Sequence, residues 1–233
     1  MSDLDTRTVL VAGGTGQVGE PIVRQLLDDG ATVVVPSRRP EKARELLPSN
    51  AHVMEGDLSD PASAGAVRES ITSQGLSPTD VIASLGSWWS GPDIGHLDPE
   101  EWDRVLAMGL GAHFHTANTF LPLLENTADA TYTLINGGGG VDPVPGSGAV
   151  SISAAAQLML GRVLAQQDGP PRVTTLVAMT PVLTRDRPEG RGGWLRAETI
   201  ATITSRIVGG ATLDEVTYLT NEPSAAGLLS SME

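Results

Sequence analysis

The chain of 233 residues contains no cysteine. Disulfide bonds, thiolate nucleophiles and cysteine-bound zinc or iron–sulfur centres are therefore excluded. Histidine is also scarce, and the four histidines are His52, His96, His113 and His115. His113 and His115 are two positions apart in a helical pattern, so their side chains diverge and do not suit a shared metal ion. We predict no metal site.

Basic residues are few, with 15 lysines and arginines against 28 acidic residues and a net charge of −13. Such a charge repels phosphate backbones and anionic lipids, and Arg38-Arg39 is the one visible basic cluster. No apolar run reaches the roughly 18 residues of a membrane span, and the start MSDLDTRTVLVAGG lacks the pattern of a signal peptide. We predict a cytoplasmic protein with a small-molecule substrate and with neither nucleic acid nor membrane as partner.

Short β-branched apolar runs alternate with helical patterns along the chain. Such runs are typical of parallel strands that are buried on both faces by helices. The sequence therefore predicts an α/β fold of the Rossmann type, a doubly wound parallel sheet of about seven strands with helices on both faces. The length favours a single domain over 1–233. The predicted strands are 8–12, 31–35, 51–55, 80–84, 130–136, 172–179 and 215–220.

One helix start is especially clear, at Asp98-Pro99-Glu100-Glu101. An N-cap carboxylate, a proline at the first helical position and a glutamate three residues after the cap predict a long helix from about Pro99 past Phe120. The segments 137–148 and 186–193 are rich in glycine and proline and follow predicted strands. At that position in this fold, binding loops are expected.

The loop GGTGQVG follows the first predicted strand and precedes a helical pattern. Its glycines allow the backbone to approach a pyrophosphate, and the helix amino terminus supplies amide donors. Because strand, loop, helix and second strand follow in order, we favour dinucleotide binding over a merely structural turn. The predicted contacts are Gly13, Thr15, Gly16, Gln17, Val18 and Gly19.

The end of the second strand carries Ser37, Arg38 and Arg39, where an NAD site has an acidic residue. Guanidinium groups form charge-assisted hydrogen bonds with phosphate, so we predict NADP(H) in preference to NAD(H). In the alternative, the two arginines solvate the next helix and pair with Glu41 or Glu45.

Two further positions follow predicted strands and complete the predicted cofactor site. Asp57 and Leu58 follow the third strand and are placed to flank the adenine ring. Gly86 follows the fourth strand and lets the backbone approach the cofactor.

From Thr8 to about Thr184 the sequence resembles the short-chain dehydrogenase/reductase family. The glycine loop is similar to GxxGxxG of the extended and atypical members, whereas EEWDRVLAMGLGAHFHTANTFLP resembles the fourth helix of common members. The stretch from TLINGGGG to GRVLAQQ resembles their fifth strand, active-site loop and fifth helix. TPVLT, 180–184, is similar to the segment whose threonine contacts the nicotinamide carboxamide. The resemblance implies the fold, a nicotinamide cofactor, a contact from Thr184, and a homodimer or homotetramer that pairs the two helices.

The resemblance also implies four catalytic side chains, and this sequence has none of them. In the family, tyrosine moves the proton, lysine lowers its pKa, serine orients the substrate oxygen and asparagine holds a relay water. Here the asparagine position is Gly109, the serine position is Gly138 or Gly139, and the tyrosine and lysine positions are Val150 and Ala154. None of these residues can transfer a proton.

A different alignment does not restore the YxxxK pair. The single lysine is Lys42, and the two tyrosines, Tyr132 and Tyr218, are followed four positions later by Asn136 and Glu222. The fifth helix therefore lacks the family's acid–base pair.

Small residues at the lost positions predict an enlarged, less polar pocket that suits a bulky, flat acceptor. An electrophilic acceptor such as a quinone or a flavin can take its proton from water, so hydride transfer from the cofactor does not require a side-chain acid.

The remaining candidates have alternative explanations. His113 lies four residues after Gly109 on the same helical face, but a histidine there is also a normal core residue. Ser147, Ser151 and Ser153 surround the lost tyrosine, although serines near a helix start commonly act as caps. Trp88-Trp89 either stack on a flat substrate or cover the sheet edge.

The function that these patterns favour is an NADP(H)-binding oxidoreductase that acts on a bulky organic substrate without YxxxK. The alternative is a non-catalytic NADP(H)-sensing or scaffold protein, a pseudo-enzyme. A third possibility is cofactor-independent chemistry in the same pocket. Segment 185–208, with arginines and paired glycines, allows a mobile flap on the substrate side, and a solvated surface loop would show the same pattern.

Overall fold

The computed structural model describes residues 4–232. Its main sheet contains seven parallel strands in the order β3-β2-β1-β4-β5-β6-β9. All seven runs predicted from the sequence form strands of this sheet, with ends that agree within two residues. The strands are β1 (Thr8–Ala12), β2 (Thr32–Ser37), β3 (His52–Glu55), β4 (Asp80–Ala83), β5 (Thr131–Gly137), β6 (Arg172–Ala178) and β9 (Val216–Leu219).

Eight α-helices cover the two faces of the sheet and bury a separate apolar cluster on each side. One cluster lies beneath α1, α2, α7 and α8, and the other beneath α3, α5 and part of α6. The predicted doubly wound Rossmann-type architecture is therefore confirmed. The helices are α1 (Gly19–Asp28), α2 (Pro40–Leu46), α3 (Pro61–Ser73), α4 (Pro99–Leu106), α5 (Ala112–Leu124), α6 (Gly148–Ala165), α7 (Ala197–Val208) and α8 (Glu222–Ser231).

The strand order reverses direction between β1 and β4. The chain builds β1, β2 and β3 toward one edge and then continues from β4 toward the other. In open parallel sheets, ligands bind in the crevice outside the carboxyl ends of the strands at such a point. The loops that follow β1 and β4 meet there.

The predicted long helix is present, but it is interrupted. Asp98 caps α4 by accepting hydrogen bonds from the amides of Glu100 and Glu101. A π turn, Ala107–Gly111, then joins α4 to α5. A π turn inserts one residue into the helical repeat, which shifts the side chains on either side, and such turns are frequent at functional sites.

Two features lie beyond what the strand pattern predicts. The short strands β7 (Val182–Leu183) and β8 (Leu195–Arg196) form a second parallel pair. The second half of the predicted flap, 197–208, is helix α7, whose Ile200 and Ile203 are fully buried in the core. A flap is therefore restricted to the part of 185–208 that precedes α7.

Helix α6 is long and apolar enough to cross a membrane by length and composition alone. In this fold it packs against β5 and β6, and its Leu158 and Leu164 are buried. Its apolar composition is explained by this place in the core.

Candidate cofactor and active site

The glycine loop after β1 is pressed against the end of β4. Gly13 has a φ of +79°, and a Cβ placed on it would lie 2.0 Å from the carbonyl oxygen of Ser84. A Cβ on Gly19 would lie 2.1 Å from the carbonyl oxygen of Gly13. Glycine is therefore required at both positions, one for the turn and one where α1 begins beneath the loop.

A cavity of about 210 Å³ opens above this loop, at the carboxyl ends of β1, β2, β3 and β4. Its lining brings together most of the cofactor residues predicted from the sequence, namely Gly13, Thr15, Gly16, Ser37, Arg38, Arg39, Asp57, Leu58 and Gly86. Gly86, with a φ of +105°, has open space in place of a side chain.

The other predicted cofactor residues lie outside the lining. Gly19 lies under the loop, and Val18 packs on the apolar cluster beneath α1. Gln17 and Thr184 belong to, or contact, a short hairpin beside the loop.

That structure is a tight hairpin, Thr184–Arg187, in which the end residues exchange two backbone hydrogen bonds of 2.9 and 3.0 Å. The Gln17 amide donates to the Asp186 carboxylate and accepts from the Asp186 backbone amide. Arg185 forms an ion pair with Glu20 in the first turn of α1. The hairpin thus lies against the amino terminus of α1, where a pyrophosphate would bind. The sequence contained no signal for these contacts.

Arg38 and Arg39 lie at the cavity wall. Among residues 4–232, neither forms an ion pair within 4 Å, whereas Glu41 pairs with Arg44 at 3.0 Å. The alternative in which the two arginines pair with Glu41 or Glu45 is therefore not seen in the described chain.

Asp57 is held as an ionised acceptor on the other wall. Its carboxylate accepts hydrogen bonds from the amide and the hydroxyl of Ser59, at 2.9 and 2.6 Å. Burial opposes ionisation, but these hydrogen bonds together with the charge of Arg38 hold the pKa of Asp57 below its usual value. The cavity therefore presents a cationic wall facing a carboxylate.

The sequence assigns the family's catalytic positions to Gly109, Gly138 or Gly139, Val150 and Ala154, and the predicted enlargement of the pocket is wrong at Gly109. A Cβ on Gly109 would lie 2.4 Å from Ser153 Oγ, and a Cβ on Gly138 would lie 3.1 Å from the Cα of Met179. Ser153 Oγ accepts from the Leu110 amide at 3.1 Å. Ser153 thus fills the space beside Gly109, and Gly138 lies close to the backbone of Met179, whereas a Cβ on Gly139 would make ordinary contacts of 3.6 Å with Ser151 and Val144.

Ala154, which the sequence assigns to the family's lysine position, is held by backbone contacts. The Asn136 amide donates to the carbonyl of Ala154 at 2.8 Å, and a Cβ on Gly140 would lie 2.8 Å from the same carbonyl oxygen. Val150 is half-buried at the start of α6. The loop after β5 therefore packs directly on the backbone of α6.

The serines at the start of α6 do not cap it with their side chains. Ser147 occupies the N-cap position, but its buried hydroxyl has no hydrogen-bond partner in the described chain. Ser151 accepts from the Val144 amide at 3.1 Å and so fixes the preceding loop. Their roles here are in packing.

His113 is fully buried and does not line the cavity. Burial lowers its pKa to about 4, and the nearby backbone of Leu85 opposes this only in part. The imidazole is thus neutral near pH 7, as the core alternative predicts. Residues 4–232 contain no group of three or more metal-ligating side chains.

The two adjacent tryptophans have different environments. Trp89 donates a hydrogen bond from its indole nitrogen to Glu101, and its ring lies over Gly91. Trp88 has 67% of its surface exposed.

A family model described as short chain dehydrogenase matches residues 7–187. The chain belongs to the short-chain dehydrogenase family. It is 24% identical over 176 residues to the uncharacterized oxidoreductase YvrD of Bacillus subtilis, which covers 73% of this chain and 66% of that protein. It is 30% identical over 148 residues to a probable oxidoreductase of Streptomyces antibioticus, which covers 60% and 48%. The match thus spans about half to two thirds of the length of these relatives.

Solved structures of similar fold agree with this membership. The aldohexose dehydrogenase of Thermoplasma acidophilum superposes with a TM-score of 0.80 at 16% identity, over 93% of both chains. The alcohol dehydrogenase of Thermococcus sibiricus, complexed with 5-hydroxy-NADP, superposes with a TM-score of 0.74 at 17% identity, over 91% of this chain and 95% of that one. At such identities the likeness concerns the fold.

Proposed function

We propose that this short-chain dehydrogenase family member binds NADP(H) and exchanges hydride with a bulky, electrophilic organic substrate without the family's side-chain acid. The proposal depends on the position of Arg38 and Arg39, which share a cavity with the glycine loop and form no ion pair within 4 Å among the described residues. Two guanidinium groups without such a pair suit a 2′-phosphate better than a ribose diol, and Arg38 acts on Asp57 through its charge.

The residues of the cavity fit such a cofactor. Gly13 and Gly16 bring the loop backbone to the cavity without side chains, and the amino terminus of α1 adds amide donors. Asp57 and Leu58 line the same cavity, which supports their proposed contacts with the adenine, and the open space at Gly86 supports a close approach of its backbone to the cofactor. The likeness to a structure complexed with 5-hydroxy-NADP also supports this choice. Gln17, Val18 and Thr184 stay predicted contacts.

The proposed substrate class follows from the lack of a side-chain proton donor at the four family positions. A bound nicotinamide would supply the hydride, and the substrate must still gain one proton for a neutral product. The four family positions carry no acid, and His113 is buried and neutral. The proton is therefore taken from water, which suits a quinone-like acceptor that is already electrophilic.

The hairpin Thr184–Arg187 favours the second candidate function, a non-catalytic NADP(H) sensor. Its Asp186 and Arg185 are bound to Gln17 and Glu20 at the pyrophosphate end of the loop. A cofactor that rearranges these contacts would change the outer surface of the protein, which a partner can detect. Tight binding without turnover would favour this candidate.

Exchange of Arg38 and Arg39 for alanine tests the cofactor assignment. Each charge-assisted hydrogen bond contributes about 1.5–3 kcal/mol when well formed, so we expect a loss of NADPH affinity of roughly tenfold or more, with NADH affinity nearly unchanged. Isothermal titration calorimetry measures both. Arg44→Ala is the matched control, because Arg44 lies outside the cavity lining. Equal losses for the two cofactors would contradict the assignment.

The assembly, the location and the domain count stay predictions. Exposed apolar side chains on α5 and α6 (Phe114, Ile152, Met159 and Val163) fit the predicted pairing of these helices in a homodimer or homotetramer. We keep the cytoplasm as the predicted location and one domain over 1–233.

A further inference from the structure

Two loops at the carboxyl edge of the sheet meet beside the start of α6. The first, 86–97, follows β4, and the second, 141–147, precedes α6. They are joined by a backbone hydrogen bond of 2.9 Å from Gly91 to Gly146. The Ile94 side chain also lies against Gly148, 3.2 Å from where a Cβ would be. We call these two loops the acceptor rim.

The acceptor rim exposes large apolar side chains. Trp88, Ile94 and Val141 are exposed by 67%, 51% and 42%. Each lies on one of the two loops that meet beside the start of α6, where Val150 holds the position that the resemblance assigns to the family's tyrosine. Apolar surface in water is unfavourable by about 25 cal/mol for each Å², so a ligand that covers these side chains gains binding energy. Exposed apolar clusters in such a place mark binding sites.

Only one of the two tryptophans is available to a ligand. The indole nitrogen of Trp89 is bound to Glu101 and its ring covers Gly91. Trp88 makes no side-chain hydrogen bond in the described chain and is largely exposed. Its loop is also continuous with Gly86 and Ser87, which line the cofactor cavity. A ring that stacks on Trp88 would thus lie next to the cofactor site.

The charge of the acceptor rim restricts the ligand further. Asp93 and Asp142 are exposed, and 86–98 and 137–150 contain neither lysine nor arginine. The net charge of the whole chain is −13. Carboxylates and an open indole face attract cations and repel anions. A carboxylate, phosphate or sulfonate on the substrate would therefore be unfavourable at this place.

We propose that the acceptor rim binds a planar aromatic substrate, uncharged or cationic, which stacks on Trp88, and that it discriminates against anionic analogues. The proposal rests on the proposed function for the identity of the reaction. Binding at the rim can be tested without turnover.

The test uses 1,4-naphthoquinone and 1,4-naphthoquinone-2-sulfonate as probes. Equilibrium dialysis against the full chain saturated with NADP⁺ gives the two dissociation constants, and NADPH oxidation gives the kinetics. The sulfonate makes the ring a stronger electron acceptor, so tighter binding of the uncharged quinone cannot be ascribed to reactivity. We expect the uncharged quinone to bind roughly tenfold more tightly.

Trp88→Ala should weaken binding of the uncharged quinone roughly tenfold, and Trp88→Phe should restore part of it. Tyr218→Ala is the matched control, because Tyr218 is also an exposed aromatic residue but lies on β9, away from the rim. Asp142→Asn should narrow the difference between the two quinones.

The outcomes separate the two proposals. Equal binding of both quinones, or the same dissociation constant in Trp88→Ala as in Tyr218→Ala, would overturn the acceptor rim. Absence of quinone binding to the wild type would overturn it as well. Binding through Trp88 without any oxidation of NADPH would support the rim and count against the proposed oxidoreductase function.

Discussion

The substitution Gly109→Ala tests the packing of α6 against the π turn that contains Gly109. In a helical segment, alanine normally stabilises by about 0.5–1 kcal/mol relative to glycine. Here the added Cβ would lie 2.4 Å from Ser153 Oγ. The serine must then rotate, which removes its contact with the Leu110 amide (3.1 Å) and with the Gln157 amide (3.2 Å). A buried donor left without an acceptor costs about 1–3 kcal/mol.

The two effects together predict a net loss of about 1–2 kcal/mol. For a chain of this length, that corresponds to a decrease in Tm of roughly 2–8 °C. Differential scanning calorimetry on the wild type and the variant measures it. The matched control is Gly65→Ala in α3, where no atom lies within 4 Å of the added Cβ, and this variant should melt at or above the wild type.

A double-mutant cycle attributes the effect to the contact. In a Ser153→Ala background the hydroxyl is gone, so Gly109→Ala should cost less than it does in the wild type. A Gly109→Ala variant that melts as high as the wild type would refute the reasoning, because the glycine would then be free of the serine.

The remaining predictions concern pH and the hairpin. The pKa of His113 is about 4 in the folded protein and 6.5 in the unfolded chain, so the unfolded chain takes up a proton first as the pH falls. The free energy of unfolding of the wild type should therefore decrease by about 3 kcal/mol between pH 6.5 and 4. In urea titrations His113→Leu should remove that decrease. The pKa of Asp57 is lowered, so its stabilisation is present above the unfolded value of 3.8 and is lost as the pH falls through the folded value; the Tm difference between wild type and Asp57→Asn should shrink below pH 3.8. Arg185→Ala removes the ion pair with Glu20 and should speed NADPH dissociation severalfold in stopped-flow fluorescence, whereas Arg187→Ala, which removes no ion pair within the described chain, should not.

Patterns local in sequence predicted much of the fold. Most of the seven main strands are β-branched apolar runs, because strands buried on both faces need no polar alternation. The edge strand β3, HVME, is the exception, since it contains a single valine and is partly exposed. The glycine loop could be recognised because strand, loop and helix follow one another directly. Nine of the predicted cofactor positions line one cavity for the same reason, since each follows a strand whose carboxyl end faces that cavity.

Contacts between distant segments could not be predicted in this way. Gln17 and Asp186 are 169 positions apart, and nothing in either local sequence indicates the other. The π turn at Ala107–Gly111 resembles ordinary helix in composition, and the closure of the space at Gly109 depends on the rotamer of Ser153 on another helix. A two-residue strand such as β7 is too short to show periodicity.

The absence of YxxxK was visible from the sequence alone, but its consequence depends on packing. Small residues at Gly109 and at Gly138 or Gly139 suggested an open pocket, whereas Ser153 occupies the space beside Gly109. Gly86, by contrast, has open space where a side chain would be.

One titration tests the central claim directly. The purified protein is titrated with NADPH and with NADH, and the absorbance of the reduced nicotinamide is then followed after addition of 1,4-naphthoquinone. We expect tighter binding of NADPH than of NADH and oxidation that depends on the quinone. Absence of NADPH binding would contradict the assignment of the glycine loop and the arginine pair, and tight binding without oxidation across a panel of quinones and bulky ketones would contradict the oxidoreductase and favour the sensor.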